Sequence, residues 1–330
     1  MQKSIQTMKA IRVHKFGGPE VLQLDSGVQI PKPGSKDILV QVRAVGVNPV
    51  ETYIRAGAYA RTPELPFTPG HDCAGIVYEV GADVKGFSKG DRVFTSKTIT
   101  GAYAEFTLAP ASSVYPLPEP LSFVQGASLS TPYLTAYRAL FQRAFAKAGE
   151  TVLVHGASGG VGTAAVQIAR AYGMNVMGTA GTQEGMKLVE KAGSHFAFNH
   201  RSAGYLDEVK KAAGEHGIDV IVENASHMNL GTDLPLLALG GRVAIVGSRG
   251  PVQINPRDTM SRESTIVGVM LHHASAKDLA EAHAVIQAGV NAGWLQPIVG
   301  KEFPLEKALE AHRDIILGGG ALGKMVLSVL

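Results

Sequence analysis

The chain has 330 residues, of which 45% are hydrophobic, and this is enough for about two domains with sizeable cores. Its 31 basic and 28 acidic residues leave a formal charge of +3, and no block of like charges indicates a nucleic-acid or membrane partner. The single cysteine, Cys73, excludes an internal disulfide, and the sequence has neither a long apolar run nor an apolar leader, so we expect a cytoplasmic protein with no membrane segment.

The first 120 or so residues contain short β-rich runs punctuated by glycine and proline. The clearest of these runs are KAIRVHKFGGPEVL, DILVQVRAVGVNP, CAGIVYEVG and DRVFTS. They predict a mostly antiparallel, barrel-like β domain.

From Thr151 onward, apolar β-branched strands alternate with helical segments, which predicts βαβ units and a doubly wound parallel sheet over residues 131–274. Within this part we expect a helix through LPLLALG and a last strand from Thr265 to Leu271. Residues 275–330, with the helices KDLAEAHAVIQAGV and EKALEAHRDIILGG and the strand KMVLSVL, are expected to rejoin the first domain.

The most informative motif is GASGGVG at residues 156–162, directly after the strand TVLVH and directly before an apolar-periodic helix. A chain that turns tightly from strand to helix beside a pyrophosphate needs glycine, because glycine has no Cβ. The helix N-terminus then offers free N–H groups and a positive dipole end to the phosphates. The placement indicates a dinucleotide site, whereas an ordinary glycine-rich turn is the alternative.

The end of the strand NVMG, the second strand of the predicted parallel sheet, bears on the choice of cofactor. An NAD enzyme usually carries Asp or Glu there to bind the ribose hydroxyls, whereas this chain has Thr-Ala-Gly-Thr at residues 179–182. Nearby Glu184 has the position of a partner for the helix dipole, and Lys187, His200 and Arg201 could supply positive charge or be plain surface residues. The pattern favours NADPH over NADH.

Several segments together resemble the zinc-independent quinone oxidoreductases of the medium-chain dehydrogenase/reductase superfamily, the zeta-crystallin group among them. These segments cover nearly the whole chain in order, and they are VNPVETYIRAGAY, TPGHDCAGIV, KGDRVFTS, GAYAEF, HGASGGVGTAAVQIARAYG, NPRDTM and ALGKMVL. The resemblance implies a GroES-like catalytic domain at 1–130 and 275–330, a Rossmann domain at 131–274, and NADPH as donor. It also implies a homotetramer built from dimers and binding to AU-rich RNA.

The same resemblance implies which residues contact NADPH. With the glycines of the turn added, they are Tyr53, Gly156, Ser158, Gly159, Gly160, Val161, Gly162, Gly181, His200, Asn229, Val246, Gly247, Ser248, Arg249, Val269, Met270 and Leu271. One departure is Gly185, because some bacterial relatives have a lysine there near the 2′-phosphate.

The segment Gly70-His71-Asp72 resembles the motif in which zinc-dependent alcohol dehydrogenases use histidine as a ligand. Catalytic zinc needs three protein ligands, and the cysteine that those enzymes carry upstream is replaced here by Asn48. We therefore expect metal-free catalysis and interpret His71 as a hydrogen-bonded structural histidine.

Without zinc, no Lewis acid activates an alcohol, whereas quinones are already electrophilic. The protein must then align the acceptor and stabilise developing oxyanion charge. Asn48, Tyr53 and Tyr59 are the candidate catalytic residues, in a loop that borders the nicotinamide in the resembling family. Alternatively, the two tyrosines only line the cleft with their rings.

The function predicted in this way is reduction of quinones, such as ortho-quinones, by NADPH. One alternative is reduction of α,β-unsaturated carbonyls on the same scaffold. Another is an RNA-binding or lens-structural role with incidental turnover, although the sequence has no RNA-recognition motif of its own. An apolar, β-branched edge strand at residues 265–271 also predicts dimers that pair across it.

Overall fold

The computed structural model describes residues 7–329, which form two compact units. The first unit contains residues 7–131, 297–319 and 324–329 of the described chain, and the second contains Pro132–Gln296 and Gly320–Gly323.

The strands of the described residues vary in length from three to ten residues. In chain order they are β1 (Thr7–Val13), β2 (Leu22–Gln29), β3 (Asp37–Gly46), β4 (Cys73–Val80), β5 (Arg92–Thr95), β6 (Phe106–Pro110), β7 (Val114–Pro116), β8 (Thr151–Val154), β9 (Asn175–Ala180), β10 (Phe196–Asn199), β11 (Ile218–Glu223), β12 (Leu237–Ile245), β13 (Thr265–Gly268), β14 (Val299–Pro304) and β15 (Lys324–Ser328).

The helices are mostly short, and the longest has 16 residues. They are α1 (Pro49–Arg55), α2 (Phe123–Gly126), α3 (Ser130–Tyr137), α4 (Gly160–Ala171), α5 (Gln183–Lys191), α6 (Tyr205–Ala213), α7 (Ser226–Asp233), α8 (Pro256–Arg262), α9 (Ala276–Asn291) and α10 (Ala308–Leu317). A π-helical turn, Arg138–Arg143, continues α3.

The first unit is built on a seven-stranded sheet with the order β14-β15-β3-β4-β5-β7, in which β6 also pairs with β3. Its pairs are antiparallel except that between β14 and β15, so the predicted antiparallel character is confirmed. The predicted barrel is not closed among the described residues. The reason is that one edge of β3 is shared, because Asp37 to Gln41 pair with β6 and Ala44 to Gly46 pair with β15.

The second unit contains six parallel strands in the order β10-β9-β8-β11-β12-β13, which is the order of a doubly wound dinucleotide-binding sheet. Buried apolar residues of β8, β9, β11 and β12 form its core together with residues of the covering helices. This confirms the predicted parallel sheet. All of its strands have their carboxyl ends at the same edge, where such sheets bind ligands.

Two predicted elements of this unit were wrong in detail. The segment LPLLALG is not a helix, because Leu234–Leu236 form a 3-10 turn and Leu237 begins β12 opposite Ile218. The predicted strand from Thr265 to Leu271 ends at Gly268, since its hydrogen-bonded partner β12 ends at Ile245.

Helix α9 belongs to the second unit, whereas the sequence assigned everything after residue 275 to the first. The Tyr137 hydroxyl donates to Glu281 Oε1 at 2.6 Å, and Gln142 Nε2 donates to the Asp278 carbonyl at 2.9 Å. These contacts hold α9 against the π-helical turn. The structure places residues 276–296 in the second unit and α10 and β15 in the first.

Candidate functional site

The glycine turn, residues 156–162, connects β8 to α4 with very little room. Gly156 has a φ of +63°, in the left-handed region that favours glycine. A Cβ on Gly162 would lie 2.3 Å from the Gly156 carbonyl oxygen and 2.5 Å from Ala157 Cα. The first turn of α4 therefore packs directly on the backbone of the turn, as a dinucleotide-binding turn requires.

The N-terminus of α4 is free of competing groups within the described chain. Its N-cap residue is Gly159, no side chain caps it, and its first turn carries no acidic residue. A twelve-residue helix of this kind presents unsatisfied N–H groups and a positive dipole end, which are suited to an anion such as a pyrophosphate.

The tip of β9 is basic rather than acidic. A Cβ on Gly181 would lie 2.9 Å from both Arg201 Nε and His200 Nε2, so both side chains reach this glycine. Burial, followed by the charge of Arg201, lowers the pKa of His200. Glu184 is exposed on α5. The surroundings suit a phosphate better than a pair of ribose hydroxyls that need a carboxylate.

The remaining predicted cofactor residues of this unit lie just past the ends of the other strands of the sheet. They are His200 after β10, Val246, Gly247, Ser248 and Arg249 after β12, and Val269, Met270 and Leu271 after β13, while Asn229 lies on α7, the helix that follows β11. A Cβ on Gly247 would lie 2.5 Å from the Asn224 carbonyl oxygen, so here too two backbone segments approach closely. The structure therefore gathers these sites at one sheet edge.

The first unit holds a buried group of polar side chains that we call the lysine cluster: Asn48, Glu51, Asp72 and Lys324. Asn48 is the N-cap of α1, and its backbone N–H donates to Glu51 Oε2 at 2.9 Å in a capping box. Asn48 Nδ2 donates to Asp72 Oδ2 at 3.0 Å and to Glu51 Oε1 at 3.3 Å. Lys324 Nζ donates to Asn48 Oδ1 and lies 3.7 Å from Asp72 Oδ2.

This arrangement corrects the sequence interpretation of Asn48. Both hydrogens of its amide are donated within the lysine cluster, so the amide does not hold a free donor for a substrate oxygen. The side-chain oxygen of Asn48 instead accepts a hydrogen bond from Lys324. Sequence reasoning missed Lys324, although a lysine within the apolar run GKMVLSVL is a signal that could have drawn attention to it.

The charges of the lysine cluster are strongly perturbed by burial. Burial raises the pKa of Glu51 to about 7, against the opposing effect of the Lys324 ammonium. Burial also lowers the pKa of Lys324, and Asp72 and Glu51 act against that shift. Asp72 receives further hydrogen bonds from Thr131, at 2.6 Å from the hydroxyl. One ammonium thus lies among two buried carboxyl groups.

A chain of hydrogen bonds leads from Glu51 to His312. The Tyr103 hydroxyl donates to Glu51 Oε2 at 2.7 Å and lies 3.0 Å from His312 Nε2, and Arg55 donates to His312 Nδ1 at 3.1 Å. Burial and then the Arg55 charge lower the pKa of His312 to about 3, so the ring is neutral. Since Nδ1 accepts from Arg55, the ring proton is on Nε2 and is donated to Tyr103.

The two candidate tyrosines lie on and just after helix α1. Tyr53 is half-buried on α1, and Tyr59 is half-buried after it, where burial raises the pKa of its hydroxyl.

His71 lies before β4, and its carbonyl accepts a hydrogen bond from Thr95 Oγ1 at 2.8 Å. Among the described residues, the group of ligand-type side chains close enough to hold a metal is His155, Glu223 and Asp233, and His71 is not in it.

Comparison with known proteins gives the class of this chain. Residues 34–119 match the family described as alcohol dehydrogenase GroES-like domain, and residues 160–288 match the family described as zinc-binding dehydrogenase. No helix of the described residues is long and apolar enough to span a membrane. The two matches together define the medium-chain dehydrogenase/reductase class.

Individual relatives narrow this further. The human protein named quinone oxidoreductase is 57% identical over 97% of each chain. A mycobacterial protein solved as a complex with NADPH is 32% identical, with a TM-score of 0.89 over 97% of this chain and 99% of the other. A quinone oxidoreductase from Pseudomonas syringae is 28% identical, with a TM-score of 0.87 over 97% and 99%. The chain belongs to the quinone oxidoreductase family.

Proposed function

We propose that this protein is a zinc-independent quinone reductase that uses NADPH. The observation that carries the proposal is the edge of the parallel sheet. There a glycine turn without room for a Cβ faces a strand tip that has basic side chains and no carboxylate. The relatives support the choice of acceptor and donor, since one is named a quinone oxidoreductase and another was solved with NADPH.

The residues at this edge fit the cofactor in chemically distinct ways. When bound, NADPH supplies a hydride to the acceptor. The N–H groups of the glycine turn and of α4 would bind the pyrophosphate, and Arg201 with His200 would bind the 2′-phosphate. The segments 246–249 and 269–271 line the same edge with Asn229. Tyr53 is included among the cofactor contacts because the family resemblance implies it.

In the first unit, we propose that Tyr53 and Tyr59 orient the acceptor through their rings and hydroxyl groups. The lysine cluster holds α1, which carries Tyr53, through the Asn48 cap. Asn48 stands where zinc enzymes have a cysteine ligand, and Lys324 donates to its side-chain oxygen. The residues here are thus organised around an ammonium group rather than around a metal ion.

A test of function compares three reactions in parallel: NADPH with 1,2-naphthoquinone, NADPH with an alkenal, and NADP with a primary alcohol. We expect rapid NADPH oxidation with the quinone, undiminished by a strong chelator, because the electrophilic quinone needs no Lewis acid. Activity confined to the alkenal would replace the proposal with double-bond reduction. Alcohol oxidation that a chelator abolishes would contradict it altogether.

A second test concerns the 2′-phosphate. We expect NADPH to bind at least about tenfold more tightly than NADH, roughly 1.4 kcal/mol, through a charge-assisted contact with Arg201. Arg201→Ala is expected to remove most of this preference, whereas Lys187→Ala, a loss of an exposed cation on α5, leaves it unchanged. Fluorescence titration of both cofactors measures it. Equal dissociation constants in the unaltered protein would refute the assignment.

The assembly is proposed from the edge of the six-stranded sheet. The edge position of β13 in the six-stranded sheet supports a homodimer that pairs two copies of this strand, and a tetramer of such dimers. The buried thiol of Cys73 is compatible with a cytoplasmic location. Preference for ortho-quinones, binding to AU-rich RNA and a lens role follow from the family resemblance alone and stay predictions.

A further inference from the structure

A buried hydrogen-bond network lies directly beneath the glycine turn, and the sequence predicted no role for its members His155 and Asp233. The Gly156 N–H donates to Thr179 Oγ1 at 3.3 Å, and this hydroxyl lies 3.2 Å from His155 Nδ1. On the other side of the ring, His155 Nε2 lies 2.9 Å from Asp233 Oδ1. The network thus joins the end of β8, the tip of β9 and the end of α7.

The hydrogen bonds define the tautomer of His155. Burial lowers its pKa, so the ring is neutral and carries one proton. Asp233 Oδ1 faces Nε2 as an acceptor, so the single ring proton is needed there, and Nδ1 accepts from the Thr179 hydroxyl, whose oxygen accepts from the Gly156 N–H. The ring proton is therefore on Nε2 and is donated to Asp233. Every donor from Gly156 to Asp233 then has one acceptor.

The network ends at two carboxyl groups, Glu223 and Asp233, which we call the acidic pair. Both side chains are completely buried. Glu223 accepts from the Ala225 N–H and, at 3.2 and 3.3 Å, from Asn229 Nδ2. The two carboxyl groups have oxygens within 4.8 Å of each other, and a side-chain hydrogen bond between them raises the pKa of Glu223 and lowers that of Asp233. Apart from Glu223, no residue between 7 and 329 supplies a donor to Asp233 Oδ2. A proton on one of the two carboxyl groups would supply the missing donor.

The groups around the acidic pair do not offset two full negative charges. The neutral ring of His155 faces it from the end of β8, and the Tyr205 hydroxyl faces it from α6, where burial and then both carboxyl groups raise the pKa of that tyrosine. His200 lies further away beside Arg201 and faces His155. Two ionised carboxylates in such surroundings would be costly, so one proton is retained.

We propose that the acidic pair shares a single proton at neutral pH and, through His155 and Thr179, positions the glycine turn for the pyrophosphate of the cofactor. Glu223 at the same time holds the amide of Asn229, so two of the segments assigned to the cofactor depend on the pair. Thr179, His155, Glu223 and Asp233 are positioning residues. This inference rests on the proposed use of NADPH.

The proposal gives a pH dependence with a definite sign. Burial is the main cause that raises the pKa of Glu223 to about 7 and that of Asp233 to about 7. A raised carboxyl pKa means that the folded state gains stability at low pH and loses it as the pH rises through the folded pKa. When the last proton leaves the pair above neutral pH, a second buried negative charge disturbs the turn and repels the pyrophosphate.

The experiment measures the dissociation constant of NADPH by fluorescence between pH 6.5 and 9.5, without any acceptor. In the unaltered protein we expect a rise of about tenfold above neutral pH, roughly 1.4 kcal/mol. In Glu223→Gln the amide donates to Asp233 at every pH, so the profile is expected to be flat. The control is Asp219→Asn, on the same strand β11 but bonded to the Thr151 N–H at its other end, which should follow the unaltered protein.

A Glu223→Gln profile that rises like that of the unaltered protein would overturn the proposal. Asp233→Asn gives the same comparison if Glu223→Gln does not fold. The shared proton has its own test: the infrared difference spectrum between the unaltered protein and Glu223→Gln should contain the C=O stretch of a neutral carboxylic acid at pH 7 and lose it by pH 9.5. The contribution of Glu51, whose pKa burial also raises to about 7, is common to both proteins and cancels. Absence of this infrared band at pH 7 would also overturn the proposal. If the band is present but NADPH binds at no pH, the proposed cofactor is wrong instead.

Discussion

Replacement of Gly162 by alanine is expected to abolish tight NADPH binding. The new Cβ would lie 2.3 Å from the Gly156 carbonyl oxygen and 2.7 Å from the Ala157 carbonyl carbon, and both belong to backbone that cannot rotate away. The first turn of α4 must therefore move outward. Its N–H groups then lose their alignment with the pyrophosphate, which is the contact that the whole turn provides.

We expect the dissociation constant of NADPH to rise by about a hundredfold, roughly 2.7 kcal/mol, and the free energy of unfolding to fall by about 1–3 kcal/mol from overpacking. Calorimetry and denaturant titration measure the two quantities. The control is Gly27→Ala on β2, where an added Cβ meets nothing within 4 Å and neither quantity should change appreciably. Unchanged NADPH affinity in a folded Gly162→Ala protein would show that the cofactor binds elsewhere.

Replacement of Lys324 by methionine is expected to lower the free energy of unfolding by about 3 kcal/mol, because it leaves buried carboxyl groups without their cation. The methionine keeps the volume of the side chain but removes the ammonium that Asn48 and Asp72 face. The loss should be larger at pH 8 than at pH 6. The ammonium normally lowers the pKa of Glu51, and without it the folded state holds that proton to higher pH, so stability continues to fall as the pH rises.

Two further variants separate this effect from a general loss of charge. Lys301→Met removes an exposed lysine whose partner, Asp314, lies 2.9 Å away, and its effect should be within about 0.5 kcal/mol. Addition of Asp72→Asn to Lys324→Met should recover part of the loss, because it removes the unpaired carboxylate. Strict additivity of the two substitutions in urea unfolding would contradict a buried interaction between them.

The features that the sequence predicted correctly are encoded within short stretches of chain. Alternating apolar strands and amphipathic helices indicated the parallel sheet, and glycines between a strand and a helix indicated the turn. The carboxylate-free tip of β9 was visible for the same reason, since the residue type at a strand end is a local property. These features depend on the periodicity of the backbone and on the space that a missing Cβ leaves, and both are determined by neighbouring residues.

The features that were wrong or missed depend on contacts between distant residues. The segment LPLLALG has helical composition, but Leu237 pairs with Ile218 and begins a strand, so tertiary pairing overrides local preference. Helix α9 is amphipathic in any setting, and only its contacts with Tyr137 and Gln142 decide which unit it joins. Likewise, the open sheet of the first unit follows from how β6 and β15 divide one edge of β3.

The clearest difference concerns buried polar groups. From the sequence, Asn48 is an available amide, yet in the structure its side chain binds Lys324, which lies 276 positions away. Glu223 and Asp233 read as ordinary acidic residues at element ends until the fold buries them beside His155. The sequence specifies the charge and the hydrogen-bonding groups of each side chain, but it does not specify the side chain's partners or its desolvation. The sequence by itself determined the sheet, the glycine turn and the cofactor class, and the tertiary structure decided which polar groups are buried together, because desolvation exists only in the packed chain.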